Sequence, residues 1–209
     1  MRRGAVYCLG FLTLAGATAC SSATDPTAKD RVLDDETPRF TCVDNSPPMR
    51  LAADLRANLP SFGQRSADDA YVAISQSVPG GFAGVFFEDN HFVMTFVDPT
   101  TADGARVTIQ AAFANHTYPV PQLDVTKAEF RGAKWTFAEL DEWFRYLMIS
   151  NVFAQGTGVS AVDIDEKANT VAFYVIDEAS RSLLESKLAA LGVPCNLVTT
   201  NIMPYAEAL

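Results

Sequence analysis

The sequence predicts an α+β fold made of two related small subdomains, each an antiparallel sheet with helices on one face. Two pairs of short segments rich in Val, Phe and Ile, each pair bounded by turn residues, have the pattern of β-hairpins. Helix signals precede and follow each pair, so both halves have the order helix, hairpin, helix, strand. Each hairpin also ends in an Asp, Asp98 or Asp177, which precedes the next helix.

The first half contains two predicted helices and three predicted strands. Its first helix begins at Ser66, with an N-terminal capping pattern, and ends at the turn that Pro79 opens. The remaining elements of this half are strands at residues 82–88 and 92–97, a helix near residues 101–113 and a strand near residues 123–131.

The second half has stronger local signals. Thr136 and Glu139 form a capping box at the start of a helix. Asp177 can cap a second helix, in which leucines form one stripe and Gly192 ends the helix. The remaining elements are strands at residues 159–165 and 170–177 and a last strand at residues 195–200.

The strand at residues 123–131, placed first, gives the second half the order β-α-β-β-α-β, which is ferredoxin-like. Residues 40–122 therefore form the predicted N-terminal α+β subdomain, and residues 123–209 form the C-terminal ferredoxin-like α+β subdomain. Residue identity between the halves is low, so the predicted repeat is one of architecture rather than of sequence.

The N-terminus has the pattern of an export signal. Two arginines precede an uncharged apolar run, residues 4–17, which is too short to span a membrane as a stable helix. Small residues then precede Cys20, and this pattern resembles the lipobox of bacterial lipoproteins, whose cysteine is lipidated and becomes the new N-terminus. The prediction is a signal peptide at residues 1–19 and a lipid on Cys20. Because Ala17 departs from the commonest pattern, ordinary secretory cleavage and an uncleaved anchor are the alternatives.

Residues 20–39 are rich in Ser, Thr, Asp and Ala, which predicts a flexible tether. The chain has a net charge of −9 and would become more acidic with the loss of its signal. An acidic surface argues against nucleic acid as a partner and against electrostatic docking on anionic lipid. The expected contact with the membrane is therefore the lipid anchor, on the outer membrane facing the periplasm if the organism is diderm.

The chain has four cysteines. Cys8 lies in the signal and Cys20 is the proposed lipid site, so Cys42 and Cys195 remain at opposite ends of the folded part. In an exported protein, an even number of remaining cysteines favours a disulfide. Two buried free thiols are the alternative.

No metal site or cofactor is predicted. His91 and His116 are isolated, without the spacing of a metal or catalytic motif. Asp163, Asp165 and Glu166 are spaced like part of a calcium loop, but the central Gly and the terminal Glu of such a loop are missing. An exposed acidic hairpin is the preferred interpretation.

The glycine-rich run at residues 80–84 precedes a strand rather than a helix, so a tight turn is a better interpretation than a phosphate site. Trp135, Trp143, Phe144 and Tyr146 cluster on and before one helix. They could anchor a partner protein, but the hydrophobic core is the preferred place for them.

A hairpin at residues 162–175, Val-Asp-Ile-Asp-Glu-Lys-Ala-Asn-Thr-Val-Ala-Phe-Tyr-Val, resembles the propeptides of streptogrisin-type and α-lytic-type serine proteases. So do residues 183–198, with a leucine-rich helix, Leu-Gly-Val-Pro and a closing strand. The resemblance implies two small α+β subdomains that act as folding chaperones and inhibit their own protease with a C-terminal strand and tail. A set of uncharacterised bacterial lipoproteins has a similar pattern over most of the mature chain, and this chain looks most like them.

The expected function is that of a non-enzymatic, lipid-anchored envelope protein with a propeptide-like binding domain. A protease precursor would continue into a catalytic domain, whereas this chain stops at Leu209. We therefore expect binding or inhibition of a serine protease in trans, with residues 201–209 as the part that enters its cleft. A hydrolase with an unrecognised site and a structural envelope spacer are the alternatives.

Overall fold

The computed structural model describes residues 42, 50–61, 66–89, 91–114, 125–153 and 156–203. The helices and strands in these residues are α1 Ala53–Arg56, α2 Ser66–Ser77, β1 Phe82–Glu88, β2 His91–Phe96, α3 Ala102–Ala114, β3 Glu129–Gly132, α4 Phe137–Ile149, β4 Val159–Asp165, β5 Thr170–Val175, α5 Glu178–Ala190 and β6 Val198–Ile202. They confirm the predicted α+β class. The predicted signal peptide (1–19), the tether (20–39) and the subdomain boundary at 122–123 lie outside the described residues.

The strands that the structure describes form two three-stranded sheets, with the strand orders β1-β2-β3 and β4-β5-β6. In each sheet the hairpin pair is antiparallel, and the third strand pairs parallel with the second. The sheets are therefore mixed, whereas the sequence predicted antiparallel sheets. The helix between the second and third strands is the reason, because it crosses the sheet and returns the chain to run in the same direction.

The two halves share more than the order of their elements. Each hairpin is irregular between the first and third residues of its first strand. The residue before that strand is a glycine with a φ of 67° in both halves, Gly81 and Gly158. After each hairpin an aspartate, Asp98 or Asp177, caps the next helical segment by accepting a backbone N–H. The predicted architectural repeat is therefore present at the level of strand register.

From β3 to β6 the chain has the βαββαβ order of the predicted ferredoxin-like subdomain. Strand β3, however, pairs with β2, with Arg131 opposite Thr95, and so completes the first sheet. Each sheet then belongs to one α-β-β-α-β unit. The order of elements along the chain does not tell which sheet β3 joins, because β3 lies between the two hairpins.

The ends of several elements differ from the prediction. The segment predicted as a strand near residues 123–131 contains a 3₁₀ turn, Val125–Lys127, before the four-residue β3. The last strand lies at residues 198–202 instead of 195–200, because a turn bonds the Leu197 N–H to the Pro194 carbonyl first. The short helix α1 was not predicted. The capping box at Thr136 is confirmed, with Glu139 bonding back to the Thr136 N–H.

Helix α4 connects the two halves. It packs against α2 and β1 of the first half and against β4 and β5 of the second. The ring of Tyr71 on α2 makes edge-to-face contacts with the rings of Phe82, Phe113 and Phe137. The largest fully buried side chains come from both halves: Trp135, Phe82, Phe96, Phe137, Phe173, Ile74, Met94, Ile109, Leu140, Leu147, Leu184 and Leu188. The two halves therefore share one hydrophobic core.

Candidate functional site

Cys42 and Cys195 form a disulfide, with their Cα atoms 5.0 Å apart and a separation of 153 positions in sequence. The predicted pairing is confirmed, and the alternative of two free thiols is wrong. Cys195 lies three residues before β6, so the bond fixes the start of the folded part to the entrance of the last strand.

The sequence predicted no site at either histidine, and only His91 lies in the described part of the chain. His91 is an exposed residue at the start of β2, and His116 lies outside the described residues. No group of three or more His, Cys, Asp or Glu side chains is placed to hold a metal ion among the residues that the structure describes. In the same residues, no helix is long and apolar enough to cross a membrane.

The aromatic cluster belongs to the core, as preferred from the sequence. Trp135 and Trp143 are buried, and Phe144 and Tyr146 are partly buried against the same hydrophobic cluster. These four side chains therefore serve packing, and a partner-binding surface must be sought elsewhere.

The glycine run is a turn, as predicted. Gly80 and Gly81 have φ angles of 85° and 67°, which favour glycine, and the Gly80 carbonyl accepts a hydrogen bond from the Asp98 N–H at 2.8 Å. Gly84, further along in β1, has a φ of 133°. A Cβ atom on Gly84 would lie only 2.7 Å from Cγ of Glu166, so the glycine makes room for that side chain.

The sequence suggested an exposed acidic hairpin, but the Glu166 side chain is only partly exposed. It lies in the β4–β5 turn of the second half and packs on Gly84 of the first half. Burial raises the pKa of its carboxyl to about 7, and the nearby carboxylates of Asp163, Asp68 and Asp165 add to the shift. Asp163 is exposed, as predicted, whereas Asp165 is partly exposed like Glu166.

The turn at residues 165–169 and the groups that it contacts form what we name the inter-half joint. Beside Glu166, the Lys167 ammonium lies 2.6 Å from a carboxylate oxygen of Glu88 at the end of β1. Arg131 of β3 also pairs with Glu88, and these two cations lower the pKa of the Glu88 carboxyl. The pairs are partly exposed, so they contribute modestly to stability.

Asn169 fixes the same turn to the segment between β3 and α4 with three hydrogen bonds. Its Oδ1 accepts hydrogen bonds from the N–H groups of Lys134 and Trp135, at 2.8 and 2.7 Å. Its Nδ2 donates to the Trp135 carbonyl at 2.9 Å. The side chain is buried, and its backbone has a φ of 55°, which asparagine tolerates better than most residues. Sequence reasoning treated Asn169 only as a turn residue, because its partners lie more than thirty positions away.

The carboxyl of Glu166 predicts a specific pH dependence of stability. The pKa of this carboxyl is about 7 in the folded protein and about 4.5 in the unfolded chain. Its contribution to the free energy of unfolding is therefore fully present below pH 4.5 and is lost as the pH rises to about 7. Glu166→Gln should remove this fall, which is measured as the urea midpoint at several pH values between 4.5 and 8. Asp103→Asn, at a side chain that is 85% exposed, is the control and should keep the wild-type slope. A wild-type slope in Glu166→Gln would contradict the assignment.

No family model matches this chain, and no curated protein matches it either. The geometry of the described residues therefore carries the functional argument. The sheet edges are candidate binding surfaces, because an extended segment of a partner can pair with an open edge.

The strands at the sheet edges are β1, β3, β4 and β6. β3 and β4 carry charged side chains, while β1 and β4 have irregular pairing. Charges and bulges are features by which proteins protect exposed edges from further pairing. β6, with the sequence Val-Thr-Thr-Asn-Ile, has no charge and no irregularity, and four of its five side chains are β-branched.

The pairing of β6 defines which of its backbone groups are directed outward. Leu197 accepts a hydrogen bond from β5, and Met203 donates one to β5. Because successive strand residues direct their N–H and C=O groups to opposite sides, Val198, Thr200 and Ile202 direct theirs away from the sheet. Among the described residues, no further strand pairs with this edge.

Proposed function

We propose that this chain is an exported, lipid-anchored envelope protein whose folded domain binds another protein without catalysing a reaction. The binding mode is strand addition, in which an extended segment of the partner pairs with the outer edge of β6. The observation that carries the proposal is this uncharged, regular edge with the backbone groups of Val198, Thr200 and Ile202 directed outward.

The partner class that we propose is a serine protease. The resemblance to serine protease propeptides supports this class, since such propeptides inhibit with a C-terminal strand and tail. In this chain β6 is the last strand of the described residues, and residues 204–209 lie outside them. The Cys42–Cys195 disulfide supports an oxidising compartment, where structural disulfides form and persist.

The hydrolase alternative has less support. It needs a histidine, a cysteine or a pair of carboxylates that converge in a cleft. His91 is exposed at a strand start, both described cysteines form the disulfide, and Glu166, near other carboxylates, packs against Gly84 from a turn. A structural spacer would bind no protease, so a binding measurement separates it from a binding domain.

The edge of β6 is tested by Thr200→Pro. A proline removes the outward N–H in the middle of the edge but no hydrogen bond to β5, because edge strands tolerate proline where the N–H faces solvent. We expect inhibition of a panel of chymotrypsin-like and trypsin-like proteases to weaken about tenfold or more, since a lost hydrogen bond and a steric clash both oppose pairing. The measurement is the inhibition constant from a titration.

Thr200→Val is the matched control. Both substitutions remove the bond from the Thr200 hydroxyl to Glu185, which is 2.9 Å long, but valine keeps the backbone N–H. Thr200→Val should inhibit like the wild type, and both variants should keep the wild-type circular dichroism spectrum. Equal inhibition by the proline and valine variants would rule out strand addition at β6. If the wild-type protein inhibits none of the proteases, a serine protease is ruled out as the partner.

The lipid anchor is tested by Cys20→Ser. Without the cysteine thiol no lipid can be attached, so the protein should move from the membrane fraction to the soluble fraction or remain as unprocessed precursor. The measurement is cell fractionation followed by blotting, with Cys8→Ser as the control that should stay in the membrane. Membrane attachment of a processed Cys20→Ser protein would contradict the anchor.

A further inference from the structure

The outer edge of β6 is complementary to itself. We infer that a second copy of this chain pairs with it, so that two β6 strands lie antiparallel about a two-fold axis at Thr200. The inference rests on the strand addition proposed above. The second copy would occupy the edge of β6 when no other protein is bound there. Symmetric pairing of one surface with itself is the commonest way in which soluble proteins form dimers.

The backbone positions fit this symmetry. The outward residues Val198, Thr200 and Ile202 are spaced evenly about Thr200. In an antiparallel pair centred on Thr200, each Val198 lies opposite Ile202 of the other copy and Thr200 lies opposite its own equivalent. Each such pair exchanges two hydrogen bonds, so the two strands would share about six. The β4-β5-β6 sheets of the two copies would become one six-stranded sheet.

The side chains fit it as well. On the helix side of the sheet, the cross-strand pairs would be Val198 with Ile202 and Thr200 with Thr200. On the other side, Thr199 would face Asn201. Aliphatic and threonine pairs of this kind stabilise antiparallel strands, and no like charges lie directly opposite each other. Ile202, which is 40% exposed in the single chain, would gain an apolar neighbour.

One feature opposes the pairing. The Thr200 hydroxyl donates to the carboxylate of Glu185 on α5, so one Glu185 of each copy would lie near the two-fold axis. Two carboxylates at this distance repel each other, and salt screens the repulsion. Together with the net charge of −9, this predicts a reversible dimer that is strengthened by salt.

Cysteine crosslinking of the full chain tests both the pairing and its register. In the proposed dimer the two Thr200 Cα atoms lie about 5.5 Å apart, within disulfide range, so Thr200→Cys should give a dimer band on a non-reducing gel. The control is Thr199→Cys on the same strand, whose equivalents lie about 7–8 Å apart on the diagonal, too far for a disulfide. Each substitution removes one side-chain hydrogen bond, to Glu185 or to Thr170.

We expect at least about fivefold more crosslinked dimer from Thr200→Cys than from Thr199→Cys, given these separations. Adding Glu185→Gln to Thr200→Cys should raise the yield further, because the repulsion is lost. Equal yields from the two cysteine variants, or no dimer from either, would overturn the inference. Protease inhibition that depends on the Thr200 N–H would still support strand addition, so the failure of the dimer and the failure of the proposed function remain distinguishable.

Discussion

Loss of the Cys42–Cys195 disulfide is expected to lower the free energy of unfolding by up to about 5 kcal/mol. The bond closes a loop of 153 residues, and a crosslink across a long loop removes many conformations from the unfolded chain. Small domains have a total stability of about 5–15 kcal/mol, so the reduced protein should be close to unfolding at ordinary temperature.

Urea titrations of the wild type, Cys42→Ala, Cys195→Ala and the double variant measure this contribution, each with and without reductant. The three variants should agree with one another and with the reduced wild type. Reductant should leave the midpoints of the double variant unchanged, which controls for effects on the remaining cysteines. A wild-type midpoint that is insensitive to reductant and equal to that of the double variant would show that the bond does not stabilise the fold.

The elements with complete local signals were predicted well. Helix α4 has a capping box at its start, and α5 has an aspartate cap and a leucine stripe, so each could be located from neighbouring residues alone. The two hairpins were predicted for the same reason, since both strands and their turn lie within one short stretch of sequence. The disulfide followed from counting cysteines in a chain that the sequence predicts to be exported.

The features that sequence reasoning missed depend on contacts between the halves. The partner of β3 is such a case, because both sheets offer an edge to a strand that lies between them in sequence. Glu166 is another, since its burial requires Gly84 to lack a side chain some eighty positions earlier. A carboxylate in an acidic turn is normally exposed, so no local pattern indicates its position.

The edge of β6 lies between these two cases. The sequence predicted a last strand at residues 195–200, but the strand starts three residues later and ends two residues later. Which residues direct their backbone groups outward therefore had to come from the hydrogen bonds at Leu197 and Met203. A displacement by one residue in a strand exchanges its inner and outer groups, so the test residue Thr200 could not have been chosen from sequence alone.

Asn169→Ala is expected to lower the free energy of unfolding by about 3 kcal/mol, because it leaves the N–H groups of Lys134 and Trp135 and the Trp135 carbonyl without their partner in a buried place. Part of the loss, about 1 kcal/mol, comes from placing alanine at a φ of 55°. The measurement is the urea midpoint and slope of each variant at one pH.

Two further variants separate these contributions. Asn169→Gly also loses the side-chain hydrogen bonds, but glycine adopts a positive φ without strain. It should therefore recover only the part of the loss that comes from backbone strain. Asn196→Ala also places alanine at a positive φ, 61°, but at an exposed position, so it should show the strain alone. If Asn169→Ala costs no more than Asn196→Ala, the amide does not hold the inter-half joint. A larger loss shared by Asn169→Ala and Asn169→Gly means that one buried side chain fixes the turn at residues 165–169 to the segment that leads into α4.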